Sequence, residues 1–345
     1  MSRHVVHVAD YGNPAAGSFI PALFALARRL HERDDRCSLI SREVPGAVWH
    51  RDARRNFDTF STVSSRIELY RLLLRARPDV VHVHFNGWAI PATLAGYVRG
   101  VQVIWHLHSA MDRAPSGMRR ALRTAKYRWL GRTVDRFVTV SEELRSAIVA
   151  SGAPLERTAL IRNAVDSAHF HPPTAEQRHH ARTALEIGDG EHALLYFGRD
   201  VAIKGGDILW KALTRARDVV LIAVGAPPEA LAEFRSRVRT ISVPFVADTA
   251  PLYWSADAIV MPSRREGAPY TLLEALCCGL PVIASDIAPL AEIGRGEPLV
   301  TLVRNEPEAL ALAIDNLPRV RPAGDESARF GLERWVREVS ELYAA

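Results

Sequence analysis

Two carboxylates, Glu266 and Glu274, stand either side of Gly267 and Pro269 in the stretch Ser263-Arg264-Arg265-Glu266-Gly267-Ala268-Pro269-Tyr270-Thr271-Leu272-Leu273-Glu274. The glycine and proline forbid one helix through both acids, so the first belongs on a loop and the second on a helix, where they can converge on one polar ligand. A second constellation, Gly198-Arg199-Asp200-Val201-Ala202-Ile203-Lys204-Gly205-Gly206, sets two cations around a glycine-rich bend. An anion held there would meet both side chains and the N-terminus of the next helical run. Each charge pair at ~4 Å contributes roughly 4 kcal/mol at an effective dielectric of 20, against ~0.3 to 1 kcal/mol from the helix dipole. The side-chain cations would therefore do most of the stabilising of a diphosphate leaving group. A Walker A loop ends in Gly-Lys-Ser/Thr, which this bend does not, and an ATPase reading weakens accordingly.

Each of these residues has a purely structural rival. Thr271-Leu272-Leu273-Glu274 spells a capping box, so Glu274 could cap its own helix. Glu266, Arg199 and Lys204, taken singly, could be solvated loop charges. Their joint presence beside strand ends favours the ligand reading. His82, His84, His106 and His108 form two His-X-His pairs on strands, and alternation places each pair on one face, so a metal centre has to be considered. No Asp or Cys ligand is spaced to complete it, and no metal is expected. The run from Met118 to Arg136 carries Arg119, Arg120, Arg123, Lys126, Arg128, Arg132 and Arg136 among Leu122, Tyr127, Trp129 and Leu130. It reads as a solvated helix face or as a surface for an anionic membrane or an acidic acceptor. Ser141, followed by Glu142 and Glu143, reads as a helix N-cap with first-turn acids.

Short apolar runs alternating with helical patterns must position these groups, and that order signals parallel sheets covered by helices. Strands are expected at His4 to Ala9, Cys37 to Ser41, Val80 to His84, Val101 to His106, Phe137 to Val140 and Ala159 to Ile161. A second series is expected at Ala193 to Phe197, Val219 to Ala223, Ile241 to Val243, Ala258 to Met261 and Pro281 to Ala284. A chain of 345 residues fits two domains. The segment Val165 to Gly190, with His171-Pro172-Pro173, is expected to hold the hinge. The domains expected are 1–165, 166–326 and a closing helix within 327–345 that packs back on the N-terminal domain. With 48% hydrophobic and 24% charged residues and no membrane-length apolar run, the composition is that of a soluble globular protein. Cys37, Cys277 and Cys278 make no disulfide framework, and the N-terminus enters a strand pattern without a signal-peptide core, so a cytoplasmic setting is expected. The formal charge of +5 suits an anionic ligand without naming one.

Taken together, Gly198-Arg199 with Lys204-Gly205, then Glu266-Gly267 with Glu274, resembles the retaining glycosyltransferases of family four, which have the GT-B fold. Pro78-Asp79-Val80-Val81-His82-Val83-His84, Val138-Thr139-Val140-Ser141 and Asn163-Ala164-Val165-Asp166 with Phe170 are similar to further landmarks of that family, in the same order along most of the chain. The resemblance implies two Rossmann-like doubly wound parallel-sheet domains facing a central cleft. It implies that Arg199 and Lys204 clamp the donor diphosphate, that Glu274 bonds the ribose hydroxyls, and that Glu266 faces the donor sugar beside the backbone of Gly267 and Ala268. His108 would contact the sugar on the acceptor side. Gly198, Gly205 and Gly17 would let backbone approach the donor, and the base would lie near Phe245 and Val246.

The implied reaction moves a sugar from a nucleotide diphosphate sugar, a UDP-sugar by family prevalence, to a hydroxyl acceptor with retention of configuration. The leaving phosphate would itself accept the proton, and no cofactor or metal is implied. The acceptor is left open among a glycan, a lipid-linked sugar and a small natural product; nucleic acid is not an expected partner. A nucleotide-sugar epimerase or hydrolase on the same fold is the alternative. Two positions depart from the family pattern: Ala164 replaces a glycine in the linker motif, and Gly17-Ser18 stands where relatives carry two glycines.

Overall fold

Runs such as Val5-Val6-His7-Val8-Ala9 and Val80-Val81-His82-Val83-His84 are apolar or buried at every position, not at alternate ones, which is what a parallel sheet covered on both faces demands. The computed structural model describes residues 2–108, 117–214, 219–232, 238–317 and 327–344. They form two compact units, Met1–Ala164 with Leu332–Ala345, and Val165–Gly331.

The first unit holds a parallel sheet of β1 (His4–Ala9), β2 (Arg36–Arg42), β3 (Thr59–Val63), β4 (Val80–His84), β5 (Gln102–Leu107), β6 (Arg136–Thr139) and β7 (Thr158–Leu160). Its strand order is β3-β2-β1-β4-β5-β6-β7, so the winding reverses between β1 and β4. The helix Phe19–His31 buries Phe19, Ile20, Leu23, Leu26, Ala27 and Leu30 along one stripe and carries Arg28, Arg29 and His31 in its last turn, where the dipole favours cations. The closing helix Leu332–Glu341 packs against it through a face that includes Trp335, Val336 and Val339.

The second unit holds β8 (His192–Phe197), β9 (Val219–Val224), β10 (Arg239–Val243), β11 (Ala258–Met261), β12 (Val282–Ser285) and β13 (Val300–Val303) in the order β10-β9-β8-β11-β12-β13. All its pairings are parallel, and the winding reverses between β8 and β11. Loops at the carboxyl ends of the two strands flanking such a reversal are where open α/β sheets hold ligands.

Both sheets have the doubly wound architecture expected from the sequence. Two edge strands, β3 and β13, were not anticipated. The expected hinge segment is also not bare linker: residues Ala175–Ala184 form a helix, started by a complete capping box between Thr174 and Gln177. It is fixed to its own unit by Arg178 and Arg182, which donate to Asp257 at 2.6 and 3.2 Å.

Candidate functional site

The loop after β8 turns on Gly205, whose backbone sits at φ +67° as the cap of the helix Gly206–Leu213. A Cβ there would lie 1.9 Å from the Pro262 carbonyl oxygen, so only glycine lets the β8 and β11 loops approach this closely. Within the bend, Asp200 accepts from the Ile203 amide at 3.0 Å through its side chain and from the Lys204 amide at 2.8 Å through its carbonyl. The β11 loop is tied on by Arg264. Its amide donates to the Ile203 carbonyl at 2.8 Å, and its guanidinium donates to the Ala202 carbonyl and to both oxygens of Asp207, each at 2.7 Å. That fork holds the Asp207 carboxyl below the usual carboxylate range.

Joined in this way, the loops bring two of the expected site residues into contact. Lys204 Nζ donates to Glu266 Oε1 at 2.6 Å, and the Ser263 hydroxyl donates to the same oxygen at 2.7 Å. The Glu266 side chain is 8% exposed and that of Lys204 29%, so the pair lies at a surface with the acid inward. Gly267 is half-buried and Ala268 buried behind it.

Glu274 is not a helix cap. Its helix runs Tyr270–Cys277 with Pro269 at the cap position and no side-chain cap bond, which places Thr271 inside the first turn. The carboxylate is 7% exposed, and its Oε2 accepts from the Tyr253 hydroxyl at 2.6 Å. Burial and the adjacent carboxylate push the Tyr253 phenol well above its ordinary range, so it stays a donor. The Tyr253 ring packs against Phe197, the last residue of β8, which sets Glu274 close to the same strand end. Arg199 is exposed, and its guanidinium carbon lies 4.9 Å from the ring centroid of Phe245. It has no ion-pair partner among the described residues. Val246, next to that ring, is half-buried against the core.

In the first unit, Gly17 sits at φ +53° ahead of the helix Phe19–His31, in a loop held by the Tyr11 hydroxyl, which donates to the carbonyls of Ala15 and Ala16. His108 follows β5, and the structure gathers around it a buried histidine array to which His7 also belongs. His7 Nδ1 lies 3.0 Å from His84 Nε2, His84 Nδ1 lies 3.1 Å from His108 Nε2, and His82 Nδ1 lies 2.6 Å from the Tyr343 hydroxyl. The rings share one face because the register sets His7 opposite His82 and His84 opposite His106. Burial drives His7 and His108 down to about 3, with the Asn163 side chain pulling His108 back up; burial and the neighbouring imidazoles drive His82, His84 and His106 well below the ordinary value. All five are therefore neutral near pH 7. Two triads, His7-His82-His84 and His84-His106-His108, have ring nitrogens within 4.8 Å of one another and are the described groups that could hold a metal ion.

Spacing in the sequence marks Lys204, Glu266, Glu274, Arg199 and His108, but gives no role to Tyr253, Ser263, Asp207, Arg264 or His7. Only Ser263 carries a local signal, just beyond the carboxyl end of an apolar strand and three residues before Glu266. The others lie far in sequence from the residues they serve.

Residues 22–169 match the family described as Glycosyltransferase Family 4, and residues 191–319 the family described as Glycosyl transferases group 1. D-inositol 3-phosphate glycosyltransferases of Mycobacterium bovis and Mycobacterium tuberculosis are 27% identical over 268 residues, covering 70% of this chain and 54% of theirs. The chain thus matches about half the length of these curated relatives. In fold it is similar to the Anabaena protein Alr3699/HepE, solved with UDP and glucose, at a TM-score of 0.82 and 17% identity over 99% of both chains. It is also similar to sucrose-phosphate synthase from Thermosynechococcus elongatus, at a TM-score of 0.76 and 20% identity over 99% of this chain and 98% of that one.

Proposed function

Because the chain belongs to the glycosyltransferases of family four and group 1, we propose that it transfers a sugar from a UDP-sugar to a hydroxyl acceptor with retention of anomeric configuration and without a metal ion. The observation that carries this reading is the contact of Lys204 with Glu266 at 2.6 Å on two loops that flank the winding reversal of the second sheet. An ammonium at the mouth of such a bend, beside the exposed guanidinium of Arg199, suits the charge that grows on a departing diphosphate. Glu266 then accepts hydrogen bonds from sugar hydroxyls, and Glu274, oriented by Tyr253, accepts from the ribose. Phe245 offers an exposed ring face on which a base can stack. His108, neutral and locked by His84, suits hydrogen bonding to a sugar hydroxyl and not proton transfer, which fits a mechanism in which the leaving phosphate takes the acceptor proton.

The test begins with thermal shift against UDP, GDP, ADP and TDP and their sugars, since a ligand that binds the native state alone raises stability by RT ln(1 + [L]/Kd). The expected result is a shift with UDP and a UDP-sugar that is lost in Arg199→Ala. Proton NMR of the transfer product then reads the anomeric configuration, and an inverted product rules out retention. Donor turnover that no acceptor accelerates would instead make the protein a hydrolase or an epimerase.

A further inference from the structure

The helix Met118–Arg128 touches the rest of its unit with one face, which holds Arg123, Thr124, Lys126 and Tyr127. Tyr127 is its one buried residue, and Met118 and Leu122 are 74% and 63% exposed. At about 100° per residue, Met118, Leu122, Ala125 and Trp129 fall within roughly 60° of one another, and Tyr127 falls on the opposite side. An apolar stripe ending in a 67% exposed tryptophan therefore faces solvent because the helix is anchored by its other face. The helix carries Arg119, Arg120, Arg123, Lys126 and Arg128 and no acid. Lys126 donates to Asn86 at 3.0 Å, and the following turn, Leu130–Thr133, packs on the helix Ala89–Arg99. That neighbouring helix also lacks acids and repeats the pattern, with Ile90, Leu94, Tyr97 and Val98 exposed at helical spacing. None of these residues serves the donor site or the core.

We propose that this face of the N-terminal unit docks on an anionic lipid bilayer, with Met118, Leu122 and Trp129 entering the headgroup boundary and the flanking arginines meeting lipid phosphates. Charge complementarity selects an anionic occupant. Exposed aliphatic side chains, with Trp129 and Tyr97 among them, select a bilayer over a nucleic acid, whose binding needs cations but no apolar stripe. Among the described residues no helix is long and apolar enough to cross a membrane, so the contact is peripheral. The inference does not depend on the donor-site reading.

Sedimentation of the full chain with vesicles of phosphatidylglycerol and phosphatidylcholine, against phosphatidylcholine alone, tests it. Binding is expected to the anionic vesicles only, to weaken at high salt, and to fall at least roughly tenfold in Met118→Glu/Leu122→Glu, whose side chains are solvent-exposed and whose loss leaves the fold intact. Arg119→Glu/Arg128→Glu, exposed and about 90° to either side of the apolar stripe, is expected to weaken it as well. Circular dichroism and the melting temperature of the same preparations, without added nucleotide, show whether each protein is native. The proposal is overturned if native protein ignores anionic vesicles, if the apolar double variant binds them as wild type does, or if mixed-sequence single-stranded DNA competes fully and is held equally well by that variant.

Discussion

Lys204 and Glu266, separated by 62 residues in sequence, share a 2.6 Å hydrogen bond, with Ser263 donating to the same carboxylate oxygen. The lysine proposed to meet a diphosphate is thus already neutralised by an inward-facing acid. On the proposed reading, donor binding redistributes this pair: the phosphate competes with Glu266 for the ammonium, and the sugar hydroxyls take up the carboxylate. The arrangement keeps the cation in place without leaving either charge unpaired near the interior.

That competition separates binding from turnover in Glu266→Gln. Removing the counter-charge should leave UDP affinity equal or tighter, while kcat falls by roughly 100-fold for want of the sugar contact. Lys204→Ala should weaken UDP binding and lower kcat together. Calorimetric titration with UDP beside steady-state kinetics reads both. Weaker UDP binding with unchanged kcat in Glu266→Gln would show that the acid merely braces the loop.

Glu274 makes a different prediction, because a buried carboxylate held by Tyr253 is oriented before any ligand arrives. If it receives the ribose hydroxyls, wild type should prefer UDP over 2′-deoxy-UDP by roughly tenfold, the size of one charge-assisted hydrogen bond, and Glu274→Ala should bind both alike. Tyr253→Phe should narrow the preference without abolishing it. An undiminished preference in Glu274→Ala would assign the ribose to another group.

What the sequence revealed followed burial. The central strands β1, β4, β8 and β11 are continuous apolar runs and can be read directly, whereas the edge strands β3, Thr-Phe-Ser-Thr-Val, and β13, Val-Thr-Leu-Val, are half-exposed and too short for a pattern to rise above their polar residues. The cation and acid positions were legible because glycine and proline punctuate them. Their partners were not: Arg264 joins Asp207 across 57 residues and Tyr253 joins Glu274 across 21, and nothing local marks such pairs. The spelling at Thr271 pointed toward a cap for Glu274, but Pro269 starts the helix two residues earlier and carries Thr271 past the cap position. The histidines of β4 and β5 were visible as His-X-His; the register that adds His7 to them is a property of the sheet alone.

Gly205 tests whether the approach of the two loops is required. Its φ of +67° and the 1.9 Å that would separate an added Cβ from the Pro262 oxygen mean that Gly205→Ala must move one loop. Stability should fall by about 1 to 3 kcal/mol, with loss of the Lys204 to Glu266 contact and of most transfer. Gly190→Ala, with nothing within 4 Å of the added carbon, is the control and should leave both unchanged. Urea unfolding of the two variants makes the comparison, and equal stability of Gly205→Ala and wild type would mean the loops have room to spare.

The buried histidine array should make the protein sensitive to acid. In the unfolded chain these imidazoles titrate near 6.5, whereas His7 and His108 in the native state take up protons only near pH 3. Below pH 6.5 the unfolded state therefore binds more protons than the native state. Stability must decline as pH falls from about 6.5 toward 3, by up to about 1.4 kcal/mol per pH unit for each histidine, and be flat with respect to them above pH 7. His106 gives the sharpest variant, because neither of its buried ring nitrogens has a hydrogen-bond partner among the described residues. Exchanging it for an apolar side chain removes both an unsatisfied group and a titrating one. His106→Leu should be as stable as wild type or up to ~1 kcal/mol more so at pH 7, and should decline less steeply in acid. Melting temperatures from pH 8 to pH 4 test both statements; a Tm that does not change across that range would mean the array takes up no protons on unfolding and is solvated in the native protein.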